Sequence, residues 1–576
     1  MLFPLVLLAS LQPSDLLEVP VTRLGVHSDS KVELFRDYLV MTVPEEDYAT
    51  DLDGDGALTS TVVHVVDLRT NEVVNTGLAS EPGLWRSFSD DPADPGERLV
   101  ASVDGGLQVF DMRTRRTEPA ISTPMDPWWV DFNEHALFYG VDETLLSFFV
   151  GHSKADLNAD GDALDGVTFR VLPGETDPSP RPAFTGRPVA VHGRRLIAAV
   201  TENGGHELNG DLLQIDTVPA VVDTVTLSGR VVPTAMGDFD MLFSTPWENS
   251  ALPDATDPSW FPIQVREGAQ GQTDLNGDGD HADDILHLHF PRTGRTINTG
   301  RVAGHLVQPA NLPGYDPDQV PDLLLYTLWE SSQGEDLNGD GAIEGSFLVV
   351  NDLAGGEHVI AREGDALEFW GRHLLFWTYD ADEPVRTLGL YDTHTSEVSL
   401  TSAVAGVKEP LSSIPTYFQE VVGPFLLFGQ AEEEVGADLD GDGDIEGWVL
   451  HVHDVREQVT RNLGIPVDLF NGEVIAEGNG SPRAVVGVSE ASIEVDLNGD
   501  GELASRVFFA IEMKSGKAAR LGPELDFPLG FPFVFLVGDD IVLQRPESLA
   551  GVDVTGDGDT DDAELIRAHI PWDELR

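Results

Sequence analysis

A seven-residue acidic motif recurs through this chain at intervals that only a repeat fold accommodates. It reads Asp274-Leu-Asn-Gly-Asp-Gly-Asp280 in one copy, and further copies start at Asp51, Asp156, Asp336, Asp438, Asp496 and Asp553. A clipped eighth stands at Glu207-Leu-Asn-Gly-Asp211. The steps between the seven full copies are 105, 118, 62, 102, 58 and 57 residues, the long steps lying close to twice the short ones. A degenerate unit is therefore expected inside each long step. The candidates are a bare hairpin over Leu99–Asp111, the clipped loop at Glu207, and the segment Leu374–Asp392. This divides the chain into about ten units of 50 to 60 residues.

Each unit reads as β-structure. An apolar run such as Leu323–Leu328 leads into the acidic loop, and a second strand such as Ser346–Asn351 follows it. A third strand is expected to end at Thr-Gly or Leu-Gly, as at Asn298-Thr-Gly300 and Asn462-Leu-Gly464. β-Branched and aromatic residues between short Gly/Asp turns argue for strands throughout. The distance from the first loop aspartate to the next turn is sixteen residues from Asp51 to Asp67, from Asp336 to Asp352 and from Asp438 to Asp454. Such a fixed spacing builds the loop into a hairpin. Units of this size predict an all-β chain, a β-propeller of about ten four-stranded blades. Two smaller propellers in tandem are the alternative. The last unit stops at Arg576 after its third strand, while Val21-Thr-Arg-Leu-Gly25 resembles the fourth strands at Val459–Gly464 and Ala519–Gly522. The N-terminal strand is thus expected to close the last blade.

The loops carry oxygen chemistry. Carboxylates at positions 1, 3 and 5 supply half the shell of a Ca²⁺ ion, which takes six to eight hard oxygen ligands, and Gly at position 6 permits the turn that brings position 7 round. An EF-hand would need a glutamate at position 12 and a helix beyond it. Position 12 is instead Val62, Val167, Ile285, Phe347, Val449 and Val507, each inside an expected strand, and only the last loop has Glu564 there. A glutamate also recurs six residues before the first aspartate, at Glu45, Glu330, Glu432, Glu490 and Glu547. It could close an ion's shell, bond the loop backbone, or stand as a solvated acid at a strand end.

The loops and their repeat resemble the Ca²⁺ hairpin loops of integrin-α-type (FG-GAP) and VCBS-type bacterial propellers. That resemblance implies ligands at positions 1, 3 and 5 and an acid near position 9. Here these are Asp51, Asp53 and Asp55; Asp156, Asn158 and Asp160; Asp274, Asn276 and Asp278. They continue as Asp336, Asn338 and Asp340; Asp438, Asp440 and Asp442; Asp496, Asn498 and Asp500; Asp553, Thr555 and Asp557. Position 7 adds Asp162, Asp280, Asp444 and Asp559, position 9 adds Glu344, Glu446 and Asp561, and position 10 offers Asp165 and Asp283. About seven Ca²⁺ sites are expected.

Two further patterns are weaker. His64, His287 and His451 share one repeat position, with His289 and His453 two residues on. Such pairs face one side of a strand and could hold Zn²⁺ or Cu²⁺, although polar packing between blades is the more ordinary use. Trp128, Trp129, Trp260, Trp329, Trp370 and Trp448 could line a sugar site, with core packing the expected role.

Composition bounds the partners. The net charge of −66 excludes electrostatic binding to nucleic acid or to an anionic membrane. Seven Ca²⁺ would leave roughly −52, so the acid is in excess of metal ligation. Arginine carries nearly all the positive charge, and the absence of cysteine excludes disulfides and thiolate metal sites. Residues 1–12 read as a signal peptide and 13–576 as the repeat domain, and no later apolar run is long enough to span a membrane. No nucleophile elbow, zinc-protease helix or P-loop motif is present, and no catalytic residue can be singled out. The expected role is an exported structural, adhesion or ligand-binding protein, secreted, periplasmic or at the cell surface, with a protein or polysaccharide as ligand. A calcium-dependent propeller hydrolase, phytase-like or glycan-cleaving, is the alternative.

Overall fold

The computed structural model describes residues 16–17, 20–27, 32–35, 37–79, 85–88, 98–103, 106–117, 121–122, 138–139, 146–150, 167–171, 184–185, 187–192, 195–201, 217–223, 229–232, 260–268, 270, 273–307, 320, 323–337, 341–352, 356–362, 364–380, 383–406, 419–467, 473–477, 482–503, 505–522, 525, 527–528, 534–547, 553 and 563–575. Among them nearly all ordered structure is strand. The helices are four single turns, Glu45–Tyr48, Glu330–Gln333, Glu432–Val435 and Glu490–Ile493, with a 3₁₀ turn at Trp572–Leu575.

The repeating element is a four-stranded antiparallel sheet whose strands pair in chain order. Val32–Phe35, Tyr38–Pro44, Thr61–Asp67 and Glu72–Ala79 form one, with the acidic loop joining its second and third strands. Gln419–Val422, Phe425–Ala431, Trp448–Asp454 and Val459–Val467 repeat it. These sheets are the blades of a β-propeller. The middle strands are buried on both faces: every residue of Tyr38–Pro44 and Phe425–Ala431 is buried. That explains why they read as unbroken apolar runs instead of alternating patterns. Fourth strands alternate in burial, as Glu72–Ala79 does, because one face meets solvent.

The degenerate units expected in two of the long steps are present as paired strands, Arg98–Val103 with Gly106–Asp111 and His373–Asp380 with Glu383–Asp392. The clipped loop at Glu207 lies outside the described residues, between the paired strands Arg195–Thr201 and Thr217–Asp223. The closing strand is also as expected. Val21–His27 runs antiparallel to Ala563–His569 and completes the sheet that holds Asp540–Pro546 and Val534–Val537. Arg23 reaches Glu564 across this seam, 3.6 Å away.

One expectation is overturned. The third strand after the apolar run does not end at Asn-x-Gly. Glu72–Ala79, Arg295–Val307 and Val459–Val467 all continue through it, with a break in register at the same place. Gly77, Gly300 and Gly464 take φ of +67°, +69° and +63°, so a bulge forms where a stop was read. In Arg295–Val307 the continuation is long enough to pair next with Leu324–Trp329, and one strand serves two neighbouring sheets.

The described chain groups into two compact units, one of Ser30–Asn311 with Asp322–Glu357, the other of Met1–Asp29, Leu312–Pro321 and His358–Arg576. The first has a core around Phe261, Ile263, Leu286, Tyr326 and Val349 and another around Tyr38, Val40, Val63 and Phe110. In the second, Phe425, Leu427, Leu450, Val486 and Phe509 form one core, and Leu543, Ile566, Phe508 and Trp572 another.

Candidate metal centres

The loop is shaped by its own carboxylates. In the copy at Asp51, one carboxylate oxygen accepts the Gly54 N–H at 2.6 Å and the other the Gly56 N–H at 3.0 Å. The copies at Asp274, Asp438 and Asp496 repeat both bonds within 0.1 Å. Position 3 then accepts the N–H of position 5, and position 5 that of position 7, as Asp53, Asp55 and Ala57 do. Glycines at positions 4 and 6 have positive φ, +88° and +104° at Gly441 and Gly443, which a side chain would strain. In the loops at Asp51 and Asp438 this winding brings oxygens of positions 1 and 3 together. A strand starts directly after it, at Thr61, Asp284, Ser346 and Trp448, and no helix of the EF-hand kind follows.

The upstream glutamates are not solvated acids. Glu45, Glu330, Glu432, Glu490 and Glu547 are all 0% exposed. The first four each open one of the single helical turns, an element that the apolar runs gave no sign of. From there they accept loop amides: Glu45 from Leu52 and Asp53, Glu330 from Leu337, Glu432 from Leu439, Glu490 from Leu497 and Asn498. The loop at Asp274 uses Glu267, likewise 0% exposed, with Leu275 N–H at 2.5 Å. Sequence reading missed Glu267 because it stands seven residues before the first aspartate, not six. Its signal was the strand-like stretch Phe261–Val265 ending two residues before it.

A second device holds the loop from the other side. The asparagine of each Asn-x-Gly bulge donates its side-chain N–H to the carbonyl at loop position 2: Asn75 to Leu52 at 2.8 Å, Asn298 to Leu275 at 2.8 Å, Asn462 to Leu439 at 2.6 Å. Its Oδ1 accepts the N–H of the bulge glycine. In the unit at Asp496 the corresponding residue is Arg520, which donates to the carbonyl of Asn498.

Among the described residues, three groups of carboxylates converge, with oxygens within 4.8 Å of one another: Glu45, Asp51 and Asp53; Glu432, Asp438 and Asp440; Glu267, Asp280 and Asp283. Burial, with Asp278 beside it, pushes Asp283 up to about 6. Burial raises Glu432, Asp440 and Glu490, each near further loop carboxylates. Clustered acids held together in this way favour a nearby cation, and a donor set of carboxylate and carbonyl oxygens suits a hard divalent one. Of the expected position-9 acids, Glu344 and Glu446 are exposed. Asp156, Asn158, Asp160, Asp162, Asp165, Asn338, Asp340, Thr555, Asp557, Asp559 and Asp561 lie outside the described residues, as do Trp128, Trp129 and residues 1–12.

Most of the remaining described candidates bond or pack within the fold. Glu564 is ion-paired with the buried Arg545 and with Arg23, which commits its carboxylate to the strand seam. His64, His287 and His451 each bond the carbonyl two residues back, and His289 and His453 bond Thr296 and Thr460. Burial pushes His289, His451 and His453 down to about 4, and no histidine joins a metal-competent cluster among the described residues. Trp260, Trp370 and Trp448 pack against cores, whereas Trp329 is 48% exposed. Outside the loops, Glu368 and Glu420 sit on the first strands of consecutive sheets. Burial and the charge of Glu420 push Glu368 up to about 8, and burial raises Glu420.

No protein-family model matches the chain, and no curated protein matches it. Solved structures similar to it include TolB from Acinetobacter baumannii, at 11% identity over 74% of this chain and 76% of that one, TM-score 0.22. The β-propeller domain of the Trilobed protease from Pyrococcus furiosus matches at 12% identity over 50% and 76%, TM-score 0.27. An oligogalacturonate lyase in complex with manganese matches at 11% over 95% and 100%, TM-score 0.27. At these values the likenesses say nothing of activity, and the architecture rests on the sheets themselves.

Proposed function

We propose that this protein is an exported calcium-binding β-propeller that serves as a structural, adhesion or ligand-binding surface protein. Ca²⁺ held in the blade loops neutralises their carboxylates and fixes each hairpin, so that binding energy becomes folding energy. The observation that carries this reading is the repeated convergence of loop carboxylates on a fully buried glutamate. Carboxylates brought this close repel one another, and a divalent cation reverses the sign of that interaction. About seven ions are expected, one for each full motif, and an extracellular location would supply them. A protein or polysaccharide at the cell surface is the kind of ligand that an acidic, rigid, repeated surface would meet.

The test is thermal unfolding of the purified protein in Ca²⁺ and in EGTA, with bound metal counted by mass spectrometry. Several Ca²⁺ per chain and a midpoint lowered by at least about 10 °C in EGTA are expected, because each filled site adds its own binding free energy to folding. A metal-free protein with the same midpoint in both buffers overturns the reading.

A further inference from the structure

We propose that Glu432 and Glu267 are direct ligands of the cation, so that these two centres are each built from separate chain segments, the acidic loop and the strand end before it. This rests on cation binding by the loops and adds a ligand that lies outside the motif. Both side chains are 0% exposed. In each, Oε1 is spent on the loop backbone, accepting from Leu439 in one case and from Leu275 and Asn276 in the other. In each, Oε2 is buried and receives no hydrogen bond. No cationic side chain pairs with either carboxylate among the described residues. A buried carboxylate oxygen with neither donor nor counter-ion is among the more costly groups a fold can hold.

What stands nearby is more acid. An oxygen of Glu432 lies within 4.8 Å of oxygens of Asp438 and Asp440, and one of Glu267 within 4.8 Å of oxygens of Asp280 and Asp283. The aspartates accept bonds within their own loops, whereas Oε2 of each glutamate has no donor, and one divalent ion among the three carboxylates would satisfy it. Glu45 provides the contrast, since its Oε2 accepts the Ser60 N–H at 3.1 Å and the backbone alone occupies both its oxygens. The amide bonds to Oε1 fix the carboxyl group before any ion arrives, which lowers the ordering entropy of binding. Because the ligand comes from the strand that precedes the loop, an ion can be held fully only when that strand is paired. The loop sequence alone is then an incomplete site.

The substitutions Glu432→Gln and Glu267→Gln separate a ligand from a backbone acceptor. Glutamine keeps a carbonyl oxygen for the Leu439 or Leu275 N–H and removes the negative oxygen. Calcium titrations of the full-length wild type, both single variants and the double variant are followed by calorimetry, with bound metal counted by mass spectrometry. Each variant is expected to bind its own site at least about tenfold more weakly, and the double variant to lose two ions at a concentration that fills the wild type. Unchanged counts and affinities in the double variant overturn the proposal and leave the glutamates as backbone acceptors. If a variant does not fold, the crystal structure of the calcium-loaded wild type decides. Oε2 of Glu432 should then lie about 2.3–2.6 Å from the ion, and an Oε2 bonded only to water or an amide overturns the proposal. A wild type that takes up no ion is a different result, one that removes the underlying reading.

Discussion

Asn462 shows how much one side chain does in these hairpins. It donates to the Leu439 carbonyl and accepts from the Gly464 N–H, tying the fourth strand of a blade to the loop that joins the second and third. Asn462→Ala leaves both backbone groups without their partner and is expected to lower stability by about 1–2 kcal/mol. Urea unfolding with and without Ca²⁺ reads the loss, which should be present in both. Glu368 gives a pH test. Its carboxyl is raised to about 8 in the folded chain, above its ordinary value near 4.5, so the folded state holds the extra proton between those values. Stability from this group is complete below about pH 4.5 and is lost as pH rises through about 8. Wild type should therefore lose stability relative to Glu368→Gln over that range, measured as the difference in denaturant midpoint at each pH. Parallel curves would contradict the assignment.

At the scale of elements, the single helical turns before the loops at Asp51, Asp336, Asp438 and Asp496 are each closed by a residue in the left-handed region. Gly334 and Gly436 fill that place in two blades, but Ala49 and Glu494 fill it in two others, with φ of +45° and +58°. A side chain there strains the backbone by about 1 kcal/mol, so Ala49→Gly is expected to raise stability by roughly 0.5–1 kcal/mol. The bulge glycines run the other way. Gly464→Ala places a Cβ at φ of +63° and is expected to lower stability by about 1 kcal/mol or more, with the loop's metal affinity falling as Asn462 shifts. Equilibrium unfolding of the two variants should move them in opposite directions.

At the scale of the whole molecule, the charge and the closing strand set the terms. A chain of net charge −66 repels itself, and among the described residues the ion pairs that offset this are mostly made by arginine, as in Arg301 with Glu335 and Glu357 or Arg567 with Asp540. The strand Val21–His27 covers the edge of Ala563–His569 and brings Arg23 to Glu564. Removing residues 1–28 would expose that edge and leave Glu564 with Arg545 alone. Broadened thermal unfolding and self-association, seen by size-exclusion chromatography, are expected. A truncated chain that unfolds as sharply as the full one would mean that the seam contributes little.

The repeat, the strand content and the acidic loops were legible because they are local: a period, an apolar run and a turn motif are each written in consecutive residues. The N-terminal closing strand was legible too, since its sequence echoes other fourth strands. The burial of the upstream glutamates, the place of Glu267, and the Asn-x-Gly bulge were not. A glutamate next to an apolar run reads the same whether it points to water or into the base of a loop, and only strand pairing decides which. Likewise Asn462 and Leu439 stand 23 residues apart and meet because two strands lie side by side. Consecutive residues alone dictate that oxygen-rich loops recur on a β-framework. Tertiary structure decided which oxygens are left buried and unpaired, because that depends on what packs around them.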